Sequence, residues 1–207
     1  VNGPAQWAAG GAITLGVLAD THIPDRLAAL HPQILPVFRA AGVQAILHAG
    51  DICARAVLDE LEQVAPVTAV RGNRDVLAGP LHMTEQVTVG GARIALLHGH
   101  FGLIPYLVDK WFFWRDGYRL ERYLAGLEQA GKHADAVVFG HTHYPEAFRR
   151  DGRFFMNPGS ASFGAPGRSR QPSVGLLHIA PGGQVDGEIV PLEGYRLEAR
   201  EWVQNRP

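Results

Sequence analysis

Five apolar runs in this chain stop abruptly at small knots of Asp, His, Asn and Gly. The runs are Ile13–Ala19, Ala45–Leu47, Val67–Val70, Arg93–Leu97 and Ala136–Phe139. The knots are Asp20-Thr21-His22, His48-Ala49-Gly50-Asp51, Gly72-Asn73-Arg74-Asp75, His98-Gly99-His100 and Gly140-His141-Thr142-His143. Short branched runs of this kind predict buried strands, and the segments between the first three predict helices: one within Arg26–Ala41 ahead of Gly42, another over Ala54–Val64 stopped by Pro66. Strand–helix–strand alternation argues for βαβ units. Ligand sites of open α/β sheets gather at the carboxyl ends of strands, which is where all five knots fall. Six of the ten histidines lie in them. In GHTH, extended backbone would aim His141 and His143 into one space.

The second half predicts hairpins. Gln86–Val89 and Arg93–Leu97 flank Gly90-Gly91, Glu146–Arg150 and Arg153–Met156 flank Asp151-Gly152, and Val174–Ile179 and Val185–Val190 flank Pro181-Gly182-Gly183. A helix is expected over Arg119–Ala130. The whole reads as an α/β sandwich, two sheets face to face with helices outside. It is expected to be one domain over 13–192, after a loose leader at 1–12 and before a tail at 193–207. With 207 residues, 46% of them hydrophobic, a substantial core is available. The leader lacks a signal peptide's basic and apolar regions. The net charge of −1 gives no field toward nucleic acid, no run is long enough for a membrane span, and the single cysteine, Cys53, fits a reducing, cytoplasmic setting.

Carboxylates and neutral imidazoles without thiolates suit divalent first-row ions rather than a structural zinc site. The knots hold enough donors for two ions, the arrangement that clamps a phosphoryl group during displacement.

Together these residues resemble the calcineurin-like metallophosphoesterase superfamily, whose pattern D-x-H, G-D, G-N-[H/C]-[D/E], H, G-H-x-H runs here from Asp20 to His143 with Arg74 at the [H/C] position. Asn157-Pro158-Gly159-Ser160, Pro166–Arg168 and Pro172-Ser173 resemble the tail of its small YfcE-type phosphodiesterase branch. The resemblance implies a four-layer α/β/β/α sandwich of two mixed sheets flanked by helices. It implies one ion on Asp20, His22 and His143, a second on Asn73, His98 and His141, and Asp51 bridging. Manganese is expected first, with iron, zinc, nickel, cobalt or magnesium also compatible. The implied reaction is hydrolysis of a small phosphate ester, a phosphodiester foremost, by in-line attack of a metal-bound hydroxide. Asp51, Asn73, Arg74 and His100 form the expected catalytic group. His48 and His100 stand beside the ligands and are expected to hydrogen-bond to them rather than ligate. A monoesterase, a dinucleoside polyphosphate hydrolase, or a non-catalytic interaction scaffold like the superfamily's retromer subunit are the alternatives.

Two features depart from the pattern. Arg74 stands where many members carry histidine, and arginine cannot donate a proton near neutral pH. It can grip a phosphate oxygen, or pair with Asp75 or another carboxylate. Residues 101–118 form an insert with seven aromatics. It is expected to cover a dimer contact or a local mini-core before serving as a wall against substrate, so a homo-oligomer through this insert is one expectation.

Overall fold

The structure is a computed structural model that describes residues 11–75, 79–164 and 171–205, apart from the side chain of Leu103. Most of the expected leader, and Pro166–Arg168, lie outside these residues. In chain order the elements are β1 (Ile13–Leu18), α1 (Ile34–Ala40), β2 (Ala45–His48), α2 (Arg55–Leu61), β3 (Val67–Ala69), β4 (Thr84–Val89), β5 (Ala92–Leu97) and α3 (Leu103–Asp116). Then follow α4 (Glu121–Ala130), β6 (Ala136–Val138), β7 (Pro145–Arg150), β8 (Arg153–Pro158), β9 (Ser173–Ile179), β10 (Val185–Pro191), β11 (Tyr195–Glu198) and β12 (Glu201–Gln204).

Two mixed five-stranded sheets form, ordered β10-β9-β1-β2-β3 and β4-β5-β6-β8-β7. In the first, β1, β2 and β3 are parallel; in the second, β5, β6 and β8 are. Their central strands read as unbroken apolar runs because both faces are covered. Side-chain alternation shows how. Leu15, Val17, Leu47, Ile94, Leu96, Ala136 and Val138 meet between the sheets. Leu18 and Ile46 instead face α1 and α2, packing on Ile34, Phe38, Val57 and Leu61. Val137 and Phe139 turn outward to Tyr123 and Leu127 of α4. Gly16 in β1 lets α1 approach, since a Cβ there would stand 3.0 Å from the Phe38 ring. Each fully buried aliphatic or aromatic side chain stabilises the sandwich by about 2 kcal/mol. This is the four-layer α/β/β/α arrangement, with the carboxyl ends of the parallel strands left to carry chemistry.

Three segments differ from the sequence reading. The helix within Arg26–Ala41 occupies only Ile34–Ala40. Pro32 disfavours helical backbone at His31, and the stretch before it is tied elsewhere: the Ala28 amide donates to the Arg200 carbonyl. Its partner is a hairpin, β11–β12, formed within the expected tail. The turn, Ala199-Arg200, has φ of 46° and 78° with no glycine or asparagine to announce it. Arg200 donates to the Pro24 carbonyl, and Trp202 Nε1 to the Ala29 carbonyl at 3.1 Å, which holds the turn in place. Third, the aromatic insert forms α3 and does not bury a mini-core of its own: Ile104, Leu107, Trp111 and Trp114 are exposed.

The hairpin covers His31, whose ring meets Trp202 and Tyr195 edge-on at 4.5 and 5.5 Å. Burial pushes the His31 imidazole down to about 4 from 6.5. The unfolded chain therefore binds a proton there that the folded chain does not between these values. Stability drops as pH falls below 6.5, and the full loss is reached below 4. In urea unfolding, His31→Leu should reduce the loss of stability between pH 7.5 and pH 5 by about 1–2 kcal/mol. An unchanged pH slope would show that His31 is protonated in the folded protein.

Candidate metal centre

The knots after β1, β2 and β6 leave their parallel strands through sharp left-handed backbone. Asp20, His22, Asp51, His141 and His143 have φ of 56°, 53°, 54°, 70° and 62°. Such backbone costs on the order of 1 kcal/mol per non-glycine residue and persists only where surroundings enforce it. At the turn after β2 the enforcer is Asp75, the last residue of the third knot. Its Oδ1 accepts from the amides of Ile52 and Cys53 at 2.7 Å each, and its Oδ2 from those of Gly72 and Asp51 at 2.7 and 2.9 Å. The carboxylate thus ties the loop after β3 to the loop after β2. Gly72 permits the closeness: a Cβ there would lie 2.2 Å from Asp51 Oδ1. On the other side, Asn157 Nδ2 donates to the Gly140 carbonyl and Thr142 Oγ1 at 2.9 and 3.0 Å, and Ser160 Oγ donates to the Asp20 carbonyl at 3.1 Å.

The side chains so held converge in two groups. In one, His143 Nε2 lies 3.4 Å from Asp20 Oδ1 and 3.3 Å from His22 Nε2. In the other, His98 Nε2 lies 3.1 Å from Asn73 Oδ1 and 3.5 Å from Asp51 Oδ1. Asp51 joins them, since its Oδ2 is 3.8 Å from His22 Nδ1. His141 stands beside His98, ring centroids 5.0 Å apart, with its amide donating to Asp20 Oδ2 at 3.1 Å. All seven residues expected as ligands are therefore together. Donor atoms sharing one cation at about 2.1 Å stand about 3.0–3.4 Å from each other, close to these spacings.

The protonation pattern also fits a cation. His98 Nδ1 faces the Ala49 carbonyl, which can only accept, at 2.7 Å, so that Nε2 is the nitrogen turned toward Asn73 Oδ1 and Asp51 Oδ1. Asp20 Oδ1 and His22 Nδ1 are buried and receive no hydrogen bond. Burial pushes the His22 imidazole down to about 3 and His141 well below its ordinary value, so both keep free lone pairs at neutral pH. Burial raises the Asp51 carboxyl, and the neighbouring Asp20 carboxylate adds to it against His98. Asp20 stays below the carboxylate range despite its burial, because His143 and the other imidazoles surround it; His143 in turn is raised against burial by Asp20.

His48 has both nitrogens engaged, Nδ1 accepting from the Gly50 amide at 3.2 Å and Nε2 facing Thr21 Oγ1 at 3.2 Å. His100 sits beyond His98 at 5.4 Å between ring centroids, pushed down to about 4 by burial, with no hydrogen bond to its Nδ1. Arg74 pairs with Asp25 at 2.5 Å rather than with Asp75, whose oxygens are taken by amides. Its own amide donates to Asp51 Oδ1 at 2.8 Å.

Residues 13–182 match the calcineurin-like phosphoesterase superfamily domain. The chain belongs to this superfamily. It is 36% identical over 177 residues to a probable metallophosphoesterase of Methanothermobacter thermautotrophicus, covering 85% of this chain and 91% of that one. A probable metallophosphoesterase of Methanocaldococcus jannaschii is 30% identical over 186 residues, with 89% and 84% covered. Among solved structures, the zinc complex of Vps29 from Entamoeba histolytica superposes with a TM-score of 0.62 at 28% identity, covering 87% of this chain and 100% of that one. Among the described residues, the groups able to hold a metal are Asp20-His22-His143 and Asp20-Asp51-His98, both drawn from the knots, and His22-Asp25-Cys53 beside them.

Asp75→Ala should remove the acceptor of four buried amides and cost about 3 kcal/mol or more in urea unfolding. A loss below about 1 kcal/mol would mean the loops hold each other without it.

Proposed function

We propose that this protein is a binuclear-metal-dependent phosphodiesterase. The observation that carries the reading is the pair of donor groups, one of Asp20, His22 and His143 and one of Asn73, Asp51 and His98, drawn together through Asp51, whose Oδ2 lies 3.8 Å from His22 Nδ1. When bound, two divalent ions would supply a nucleophile from water at neutral pH and withdraw charge from the phosphoryl oxygens. Asp20, His22 and His143 would hold one ion and Asn73, His98 and His141 the other, with Asp51 common to both; manganese is our first candidate, and a cytoplasmic setting agrees with the lone buried thiol of Cys53.

The cleft beside these residues supports an ester with a second substituent. It encloses about 140 Å³ and is bounded by His22, Asp51, Asn73 and His141 on the floor and by Tyr106, Phe113 and Phe163 on the walls. Arg26, stacked 5.0 Å over Phe163, and Arg74 add positive charge at one rim. Arg74 would orient a phosphoryl oxygen by charged hydrogen bonds after exchanging Asp25 for it. No side chain at this position can protonate the leaving oxygen, so the enzyme should favour good leaving groups.

An interaction module on the same fold is the second reading, favoured by the likeness to Vps29 and by the exposed apolar side chains of α3. The full donor set supports the enzyme.

Elemental analysis and anomalous scattering after manganese loading should find two ions per chain; one ion at saturation would sink the binuclear reading. With metals in place, the protein should cleave aryl phosphodiesters much faster than alkyl ones. Asp51→Asn should impair turnover more than His22→Ala, because the bridge serves both ions. Arg74→Ala should lower kcat/KM by about 100-fold with metal content unchanged. Single-turnover rates equal to the parent protein would reduce Arg74 to an ion-pair partner of Asp25.

A further inference from the structure

α3 enters the chain between β5 and β6 and lies against the cleft. Its inner side presents Tyr106, Asp109, Lys110 and Phe113 to the space lined by His141 and Asp51. Asp109 is a carboxylate outside the seven residues assigned above. Its Oδ1 accepts a hydrogen bond from the Tyr123 hydroxyl at 2.7 Å, and its Oδ2 faces His141 Nε2 at 3.9 Å. Tyr123 is not a casual partner. It belongs to α4, is 6% exposed, and packs with Leu127, Val137 and Phe155 in the outer core of the second sheet. The phenol is therefore rigid, and it fixes one carboxylate oxygen while leaving the other free to face the imidazole.

His141 is fixed from its own backbone, by the amide bond to Asp20 Oδ2 and by its left-handed φ. Its ring is freer: close ring neighbours are His98, His100 and Tyr106, and none of these contacts sets which nitrogen carries the proton. A ligating imidazole generally needs a second partner, to which the other ring N–H donates, for its tautomer and plane to be set. The gap of 3.9 Å exceeds a hydrogen bond by about 1 Å, which a small rotation of ring or carboxylate closes.

We propose that Asp109 is a positioning residue for His141: held by Tyr123, its carboxylate accepts a hydrogen bond from the proton-bearing ring nitrogen of His141 and so turns the opposite nitrogen toward the position shared with His98 and Asn73. The insert thus adds a chemical component to the metal centre, not just a wall. The inference rests on the binuclear reading.

The test is calorimetric titration of the full chain with Mn²⁺ alone, together with thermal unfolding of the metal-free protein. The parent protein should take up two ions. Asp109→Ala should weaken one of them about 10–100-fold and leave the other unchanged. Asp109→Asn, which keeps an acceptor oxygen, should recover much of that affinity. Tyr123→Phe should weaken the same ion by several-fold, because the carboxylate loses its anchor; this variant also carries the test if Asp109→Ala fails to fold. Equal loss of both ions, or a lowered melting temperature with both affinities intact, would overturn the proposal by reducing Asp109 to a fold contact. Absence of a second ion in the parent protein would overturn the binuclear reading itself.

Discussion

Four amide hydrogen bonds to one buried carboxylate hold the catalytic end of this molecule in shape. Asp75 draws the turn after β2 and the turn after β3 onto a single point, and both turns carry expected ligands, Asp51 and Asn73. The left-handed backbone of Asp51 and Cys53 is tolerable because the same anion rewards those amides for pointing inward. A charged acceptor is suited to this work, since bonds to an ionised oxygen are roughly twice as strong as neutral ones. With its oxygens so used, Asp75 is not free to pair with Arg74, which reaches across to Asp25. The orientation of the one residue that departs from the superfamily pattern thus follows from the anchoring of its neighbour.

The electrostatics of the centre follow from the same packing. Buried Asp20 and Asp51 sit among imidazoles, of which burial keeps His22 and His141 neutral while Asp20 draws His143 toward the protonated form. Such a cluster carries negative charge in a low-dielectric place, where divalent cations offset it better than protons can. The two-sheet sandwich supplies the rigidity: β1 and β2 position Asp20 and Asp51, while β5 and β6 position His98, His141 and His143. Misplacement of one sheet against the other would pull the two donor groups apart.

The sandwich and the seven clustered residues were legible because each leaves a local mark. A doubly covered strand is an apolar run, and a ligand at its end interrupts that run with Asp or His. Asp75 was visible as a member of the third knot but its role was not, because its partners are backbone amides, which every residue has. The hairpin β11–β12 was hidden for a related reason. Its turn uses Ala199 and Arg200 where glycine or asparagine would be the visible signal, and tertiary bonds to Pro24 and Ala28 enforce the shape. α3 was ambiguous since its aromatics lie on more than one side, some toward the cleft and others toward solvent, so that no single apolar face emerges. Asp109 looks in sequence like any surface acid on a helix, and only the fold brings it to His141 and Tyr123.

The position of α3 has a consequence for how this enzyme could diversify. The helix occupies a crossover between two neighbouring parallel strands, and Ile94, Leu96, Ala136 and Val138 pack in the inter-sheet core without it. Replacing or lengthening that crossover would reshape one wall of the cleft while leaving Asp20, His22, Asp51 and Asn73 on loops of the other sheet. Under the proposed function, one wall of the cleft and four of the seven expected ligands thus lie on separable pieces of chain. A lineage could exchange the first by loop grafting, and a protein engineer could do the same, provided each new crossover restored a carboxylate facing His141.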